Sequence, residues 1–256
     1  MDEIRVICTV QKEFLSMFTF SSKIRYSEVG PDCILTLPAL VNYFQDCSTF
    51  QSEGTCGSLA ALTEKNWAWM LSSWQIDVLR YPKLCEDVVI GTIPYELKGL
   101  FGMRNFFMKT AAGELLAQAN SIWALIDLEN NLPINIPEYF TEAYPIEPRL
   151  DMDYAPRKLP FPKEGKNHTV EDITVRLRDL DSNHHMNNEQ YIRMALDCLD
   201  GKLLHPSHMR AEYRKQAFLG NIIHPVVNER TVFDQKIYTV GLNNDEGKAY
   251  CNVMFN

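Results

Sequence analysis

The chain has 256 residues, 46% of them hydrophobic and 23% charged, and 33 acidic against 25 basic side chains leave a net charge of −8. A chain of this length buries about 70–75% of its unfolded surface, so it folds as one large domain or two small ones, and its composition excludes intrinsic disorder. The acidic balance also excludes a general nucleic-acid binder, which needs clustered Lys and Arg against phosphate, although a local basic patch stays open.

No apolar run approaches the roughly 18–20 residues that cross a bilayer, and the opening MDEIRVICTV lacks a basic leader and a small-residue cleavage site, which predicts a cytosolic protein without membrane contact. Seven cysteines (Cys8, Cys33, Cys47, Cys56, Cys85, Cys198 and Cys251) are scattered without a CxxC pair. That pattern points to reduced, packed thiols, not to a disulfide framework or a thiolate zinc site.

In chain order, the first helix signal is TLPALVNYFQDCSTF, where Leu37, Leu40, Val41, Phe44 and Cys47 recur at helical spacing. Thr36 supplies a cap and Pro38 sits in the first turn. Strand signals follow in WQIDVLRY, DVVIGTIPYEL, MRNFFMKT and LLAQANSIWALID, with AAGE at 111–114 as a hairpin turn. Seven of the thirteen prolines then fall between Pro133 and Pro162. Such a run sustains neither a helix nor an interior strand, so a linker is expected at 141–167.

The second half repeats the order. Asn187 or Asn188 caps EQYIRMALDCL, whose stripe is Tyr191, Ile192, Ala195 and Cys198 or Leu199, and Asn187 with Gln190 resembles a capping box. HMRAEYRKQAF, TVFDQKIYTVGL, the turn NNDEGK and AYCNVMF read as the strands behind it. A gap-free offset of 151 residues sets Arg25 on Arg176, Glu28 on Asp179, Val29 on Leu180 and Asp46-Cys47 on Asp197-Cys198. Later an offset of 135 sets residues 76–87 on 211–222, with Leu84 on Leu219. One helix wrapped by an antiparallel sheet, twice over, is an α+β architecture.

All six histidines lie in the second half. Asp181-Ser182-Asn183-His184-His185 opens its helix, where the first half has Gly30-Pro31-Asp32-Cys33-Ile34. In an extended loop Asp181, Asn183 and His185 would share one side. They precede a helix N-terminus, whose unpaired N–H groups stabilise an oxyanion by about 3–4 kcal/mol per donor. Imidazole exchanges protons near neutrality, so the chemistry indicated is hydrolysis or transfer at an activated carbonyl. The alternative is structural: turns at Asp181 and Asn183, caps at Asn187 and Asn188, and a solvated His184. GxSxG, GxGxxG, GxxxxGK(S/T) and HExxH are all absent. His205 and His208 in HPSH lack the acidic cluster that would complete a metal site, and Cys198 lies on an apolar face where a packed thiol is expected.

DLDSNHHMNNEQYI resembles the D-L-D-x-N-x-H-x-N-N-x-x-Y-I signature of the acyl-acyl carrier protein thioesterases of bacteria and plant plastids, and the resemblance runs over nearly the whole chain. It implies two tandem hotdog domains, 1–140 with an acyl-chain pocket and 168–256 with the catalytic groups, joined by the linker 141–167. It implies Asp181, Asn183 and His185 as catalytic residues. The family's fourth position lies in a segment like LEYRREC, and here Gln216 stands for its Glu and Ala217 for its Cys. A cysteine nucleophile and a carboxylate base at those positions are therefore excluded, and Gln216 is left to orient water; Glu212 matches a structural Glu. Trp67, Trp69, Trp74, Phe101, Phe106 and Phe107 fit the pocket wall. Arg176, Arg178, Arg210, Arg214 and Lys215 are candidates for docking an acidic carrier protein.

The function so implied is hydrolysis of acyl-acyl carrier protein to free fatty acid and holo-carrier protein, ending elongation, in a bacterial cytoplasm, with no cofactor and no metal. A homodimer stays open, although two fused units already supply a dimer-like pair. An acyl-CoA thioesterase, a non-catalytic acyl- or carrier-protein-binding module and a dehydratase on the same scaffold are the rivals.

Overall fold

The computed structural model describes residues 17–256, and the opening MDEIRVICTV with Cys8 lies outside the described residues. The first half contributes β1 (Phe18–Lys23), α1 (Leu37–Ser52), α2 (Leu59–Glu64), β2 (Trp67–Val78), β3 (Asp87–Lys98), β4 (Phe101–Thr110), β5 (Leu115–Asp127), β6 (Leu132–Pro133) and α3 (Glu138–Ala143). The second contributes β7 (Lys166–Thr169), β8 (Ile173–Thr174), α4 (Asn188–Asp197), β9 (His208–Tyr213), β10 (Ile222–Val232), β11 (Gln235–Asn243) and β12 (Ala249–Phe255).

The strands form one antiparallel sheet in the order β1-β3-β4-β5-β2-β9-β12-β11-β10-β7, with β6 on β5 and β8 on β10. The halves meet where β2 pairs with β9, from Ser73 opposite Glu212 to Asp77 opposite His208. The expected helices lie on one side of this sheet. Leu37, Leu40, Val41, Phe44 and Cys47 of α1, and Tyr191, Ile192 and Ala195 of α4 with Cys198 and Leu199 behind it, are buried in a single core that spans both halves.

Several expectations need correction. β2 starts at Trp67, not Trp74. Residues 231–242 are not one strand: Phe233 and Asp234 form a two-residue hairpin turn with φ of 48° and 63°, and β10 runs into it across Pro225. α2 and α3 were not anticipated; α2 starts at a cap in which Ser58 accepts the Ala61 N–H.

The duplication is visible bond by bond. The Gly30 N–H reaches Ile34 O at 2.9 Å and the Asp181 N–H reaches His185 O at 2.8 Å. Cys33 and His184 both hold positive φ, 61° and 60°. Thr36 N–H bonds Glu28 O as Asn187 N–H bonds Asp179 O. In the later register, Leu35 N–H reaches Pro82 O as Met186 N–H reaches Ala217 O. The few identities therefore mark one backbone used twice, related about the Gln75–Arg210 pair at the centre of the seam.

The proline-rich segment does not hang free. It crosses the sheet face opposite α1 and α4, where a row of buried polar side chains receives its backbone. Asn105 accepts the Leu150 N–H at 3.0 Å and the Tyr154 hydroxyl at 2.9 Å. Gln75 donates to Asp153 O at 2.6 Å and accepts the Ala155 N–H at 2.8 Å. Arg210 donates to Pro156 O and Lys158 O. Glu212 accepts the Leu159 N–H at 2.8 Å, Asn252 donates to Leu159 O at 2.9 Å, and Asn228 donates to Glu164 O at 2.9 Å. Strand register explains the row, because Asn105, Asn120, Gln75 and Arg210 are successive cross-strand neighbours, as are Glu212 and Asn252. Gly241, opposite Asn252, makes room for the crossing chain: a Cβ there would stand 3.1 Å from the Phe161 ring.

Glu212 thus holds the Leu159 N–H and the Arg214 guanidinium while 5% exposed. Glu212→Ala leaves the Leu159 N–H without an acceptor and the Arg214 guanidinium with only Leu159 O at 3.5 Å, and the expected cost of about 2–3 kcal/mol corresponds to a Tm lower by roughly 4–12 °C in a thermal melt. A Tm within a degree of the parent chain would mean that this row does not hold the crossing segment.

Candidate active site

The loop before α4 is not extended, so alternation does not set its side chains. It is a tight turn in which the Asp181 N–H bonds His185 O, the His184 N–H bonds Asp181 O at 3.1 Å, and Leu180 bridges Met186. Asp181 folds back into this turn, its Oδ1 accepting the Asn183 N–H at 2.8 Å and the His185 N–H at 3.2 Å. Its Oδ2 has no partner among the described residues. Asn183 is exposed and His185 half-buried.

His185 is the point where the expected residues converge. Gln216 Nε2 lies 2.9 Å from its Nδ1 and 3.3 Å from the sulfur of Met70, and the Phe218 ring stands edge-on at 5.1 Å. An amide N–H₂ only donates, so Nδ1 is the acceptor and neutral His185 carries its proton on Nε2. The Gln216 segment is fixed by Met186, whose N–H reaches Ala217 O at 2.9 Å, and by Tyr191, whose hydroxyl accepts the Ala217 N–H at 2.9 Å. Ala217 is buried, so the position given to cysteine in the resemblance is closed to solvent.

The N-terminus of α4 offers less than a cluster of free dipoles. The N–H groups of Met186, Asn187, Glu189 and Gln190 are taken by Ala217 O, Asp179 O, Asn187 Oδ1 and Asn187 O. Only the Asn188 N–H is left without an acceptor among the described residues. Asn187 is the cap, but Gln190 does not complete a capping box: its amide turns to Glu189 Oε2 at 2.8 Å. Burial pushes the Glu189 carboxyl up against the pull of Arg193, 2.5 Å away. From the first half, Gln45 of α1 accepts from the Asn188 side chain at 3.0 Å, so both halves build the site.

Three of the other histidines are occupied elsewhere. His205 meets Asp32 at 2.6 Å, His208 meets Asp77, and His224 lies between Asp172 and Asp245 at 2.8 and 2.9 Å. His205 and His208 therefore face different carboxylates, and no group of three metal-ligating side chains is found among the described residues. Burial pushes the Cys198 thiol up to about 11, which suits packing and not attack.

A groove of about 600 Å³ beside α4, lined by Arg176, Asp179, Gln190, Arg193 and Asp197, has a counterpart of about 440 Å³ beside α1, lined by Arg25, Glu28, Asn42, Tyr43 and Asp46. Neither touches Asp181, Asn183, His185 or Gln216. A hollow that recurs with the repeated backbone follows from the shape of the repeat.

The models for the acyl-ACP thioesterase N-terminal and C-terminal domains match residues 15–144 and 162–256. The chain belongs to the acyl-ACP thioesterase family. It is similar to the chloroplastic acyl-(acyl-carrier-protein) hydrolase FATB1 of Cuphea viscosissima, 24% identical over 242 residues that make up 88% of this chain and 57% of the relative. Oleoyl-acyl carrier protein thioesterase 2 of Arabidopsis thaliana is 23% identical, over 84% of this chain and 64% of its own length. The chain thus spans little more than half the length of these curated relatives. Solved structures of an acyl-ACP thioesterase from Bacteroides thetaiotaomicron and of the 12:0-ACP thioesterase from Umbellularia californica superpose with TM-scores of 0.78 and 0.79 at 22% and 19% identity. Each superposition covers 93% of this chain, with 96% and 92% of the respective neighbour, and gives the double hotdog fold.

Within this acyl-ACP thioesterase family member the six aromatic candidates divide. Trp74 and Phe106 are fully buried beneath α1 with Phe44. Phe101 and Phe107 alternate with inward-facing Arg104 and Phe106, which turns them toward the crossing segment, where Arg157 stacks on Phe101. They cannot wall a pocket under the helices. Trp67 and Trp69 border a second apolar cluster with Leu62, Leu125, Phe140 and Tyr144, next in sequence to Met70. Arg210 and Arg214 also leave the docking set, since they bind the crossing segment and Glu212. Sequence reasoning missed Met70, Phe218 and the locking role of Tyr191; for Tyr191 the signature supplied a position without a reason.

Tyr191→Phe removes the acceptor for a fully buried N–H next to Gln216. We expect about 1–3 kcal/mol lost in denaturant unfolding, and a turnover that falls further than the loss of folded protein explains. Retained stability would mean that Ala217 finds another acceptor.

Proposed function

We propose that this chain hydrolyses acyl-acyl carrier protein, releasing the free fatty acid and holo-carrier protein and so ending elongation. The observation that carries this reading is His185, held through Nδ1 by Gln216 beside a helix start whose Asn188 N–H is unpaired. The proposal includes the division of labour read from the sequence: residues 1–140 for the acyl chain, 141–167 as connection, and 168–256 for the reaction in a bacterial cytoplasm. Among the described residues no helix is long and apolar enough to cross a membrane.

In the proposed sequence the thioester carbonyl accepts the Asn188 N–H, which strengthens as oxygen becomes negative. Asp181 Oδ2, the oxygen not used by the loop, takes a proton as water attacks the carbonyl carbon. Asn183, exposed beside it, orients the water or the carbonyl. Collapse of the tetrahedral centre breaks the C–S bond, the proton held by Asp181 passes to the departing sulfur, and the His185 Nε2–H donates a hydrogen bond to that sulfur as its charge develops. Gln216 holds the imidazole in the donor tautomer, and Asp181 is returned to its carboxylate form.

Purified protein incubated with a ladder of acyl-carrier-protein thioesters should release free thiol. Asp181→Asn keeps an oxygen for the two loop N–H groups but removes the base, so kcat should fall by about 10²–10⁴-fold with an unchanged melt; unchanged turnover removes Asp181 from the mechanism. Gln216→Glu accepts an Nδ1 proton and turns Nε2 into an acceptor, so the donor to the leaving sulfur is lost and kcat should fall by on the order of 10-fold. An unchanged kcat would overturn the tautomer described above. The absence of a carboxylate at 216 also favours testing a second reading, a non-catalytic acyl- or carrier-protein-binding module, for which tight acyl binding without thiol release is the signature.

A further inference from the structure

Because the backbone is used twice, each half presents a comparable rim beside its helix start, and the two rims differ in chemistry. Around α1 three cations have carboxylates and Lys83 has none among the described residues: Lys23 meets Asp87 at 2.7 Å, Arg25 meets Glu28, and Arg80 meets Glu86 at 2.8 Å and Glu114 at 2.9 Å. The corresponding positions around α4 are Thr174, Arg176 and Lys215, and neither Arg176 nor Lys215 forms an ion pair among the described residues. Arg178, which stands where the first half has Ser27, is 76% exposed and reaches only Asp179, at 3.8 Å. Where the first rim has Tyr26, Lys83, Leu84 and Asp87, the second has Leu177, Phe218, Leu219 and Ile222, exposed by 75, 47, 57 and 41%.

These residues form one lip. Val175 N–H bonds Asn221 O and Gly220 N–H bonds Val175 O, both at 2.9 Å, and Thr174 pairs with Ile222, so the turn at 176–178 lies alongside 218–222. The lip adjoins His185 through Phe218. Of the neighbouring acids, Asp172 and Asp245 are taken by His224 and Glu246 by Lys248 at 2.9 Å, while Glu171 forms no ion pair among the described residues. A protein of net charge −8 thus leaves Arg176 and Lys215 without ion pairs beside an exposed apolar strip, while the matching Arg25 and Arg80 of the first half are paired.

We propose that this lip, Arg176, Leu177, Arg178, Lys215, Phe218 and Leu219, is the docking surface for a partner with an acidic face and a few exposed apolar side chains: the carrier protein that delivers the thioester. It rests on the hydrolytic reading above. Rim charges steer association and suppress like-charged wrong surfaces, while the apolar strip supplies the desolvated centre. On the first-half rim Lys23, Arg25 and Arg80 are paired, Lys83 and Asp87 stand where the second half has Phe218 and Ile222, and the cleft is crossed by the Asp32–His205 contact.

The test compares three thioesters of one acyl chain, on carrier protein, on CoA and on pantetheine, with the triple variant Arg176→Glu/Arg178→Glu/Lys215→Glu and separately with Leu177→Asp. The expected result is a KM for the carrier-protein substrate raised by on the order of 10-fold in each variant, with KM and kcat for acyl-pantetheine and acyl-CoA unchanged, and, for the triple variant, a difference that shrinks with added salt. An unchanged carrier-protein KM overturns the proposal. So does an equal rise for acyl-CoA and carrier-protein substrates, which would mean that the cations read the phosphates common to both. No thiol release from any of the three by the parent chain would instead overturn the hydrolytic reading itself.

Discussion

A buried polar group without a partner is among the most expensive features a fold can carry, and this sheet buries a row of them. Asn105, Gln75, Glu212, Asn252 and Asn228 lie on five strands drawn from both halves, and each makes at least one hydrogen bond to the backbone of one irregular segment. The dependence is mutual. That segment, with its prolines, cannot pair with itself, and the row cannot stay buried without it. The seam at β2 and β9 is thereby covered on one face by the crossing chain and on the other by the shared core of α1 and α4, so both halves are held in one register.

That register brings first-half residues to a second-half site. Met70 reaches Gln216, and Gln45 reaches Asn188, only because the seam fixes the two copies about Gln75 and Arg210. The scaffold then serves two purposes with one backbone. At the first copy the loop carries Gly30 and Ile34, Pro38 occupies the first turn of the helix, and Asp32 is tied to His205. At the second, the same hydrogen bonds present Asp181, His185 and an unpaired N–H. Local backbone geometry is inherited, and the chemistry follows from side chains the fold does not need.

The difference between copies also separates site from scaffold in electrostatics. Grooves beside α1 and α4 recur together, so they follow from the shape of the repeat. Among the described residues Arg176 and Lys215 stand unpaired around α4 where Arg25 and Arg80 are paired around α1, and Phe218 and Ile222 are exposed where the first half has Lys83 and Asp87.

The sequence by itself determined both central helices with their buried stripes, the α+β class, and the duplication with its two offsets. Those features rest on local rules: helical spacing, caps, turn residues and repeated order. It did not determine that the 181–185 loop is closed, because that depends on Asp181 bonding its own backbone instead of extending. Nor did it reveal the role of the proline-rich stretch, since the Asn, Gln and Glu that receive it are spread over five strands and become neighbours only through cross-strand register. Tertiary structure alone decided which aromatics face the helices, which arginines remain unpaired and which half lends Met70 to the site. Each of these is a contact between residues far apart in the chain, set by strand pairing that no local pattern encodes.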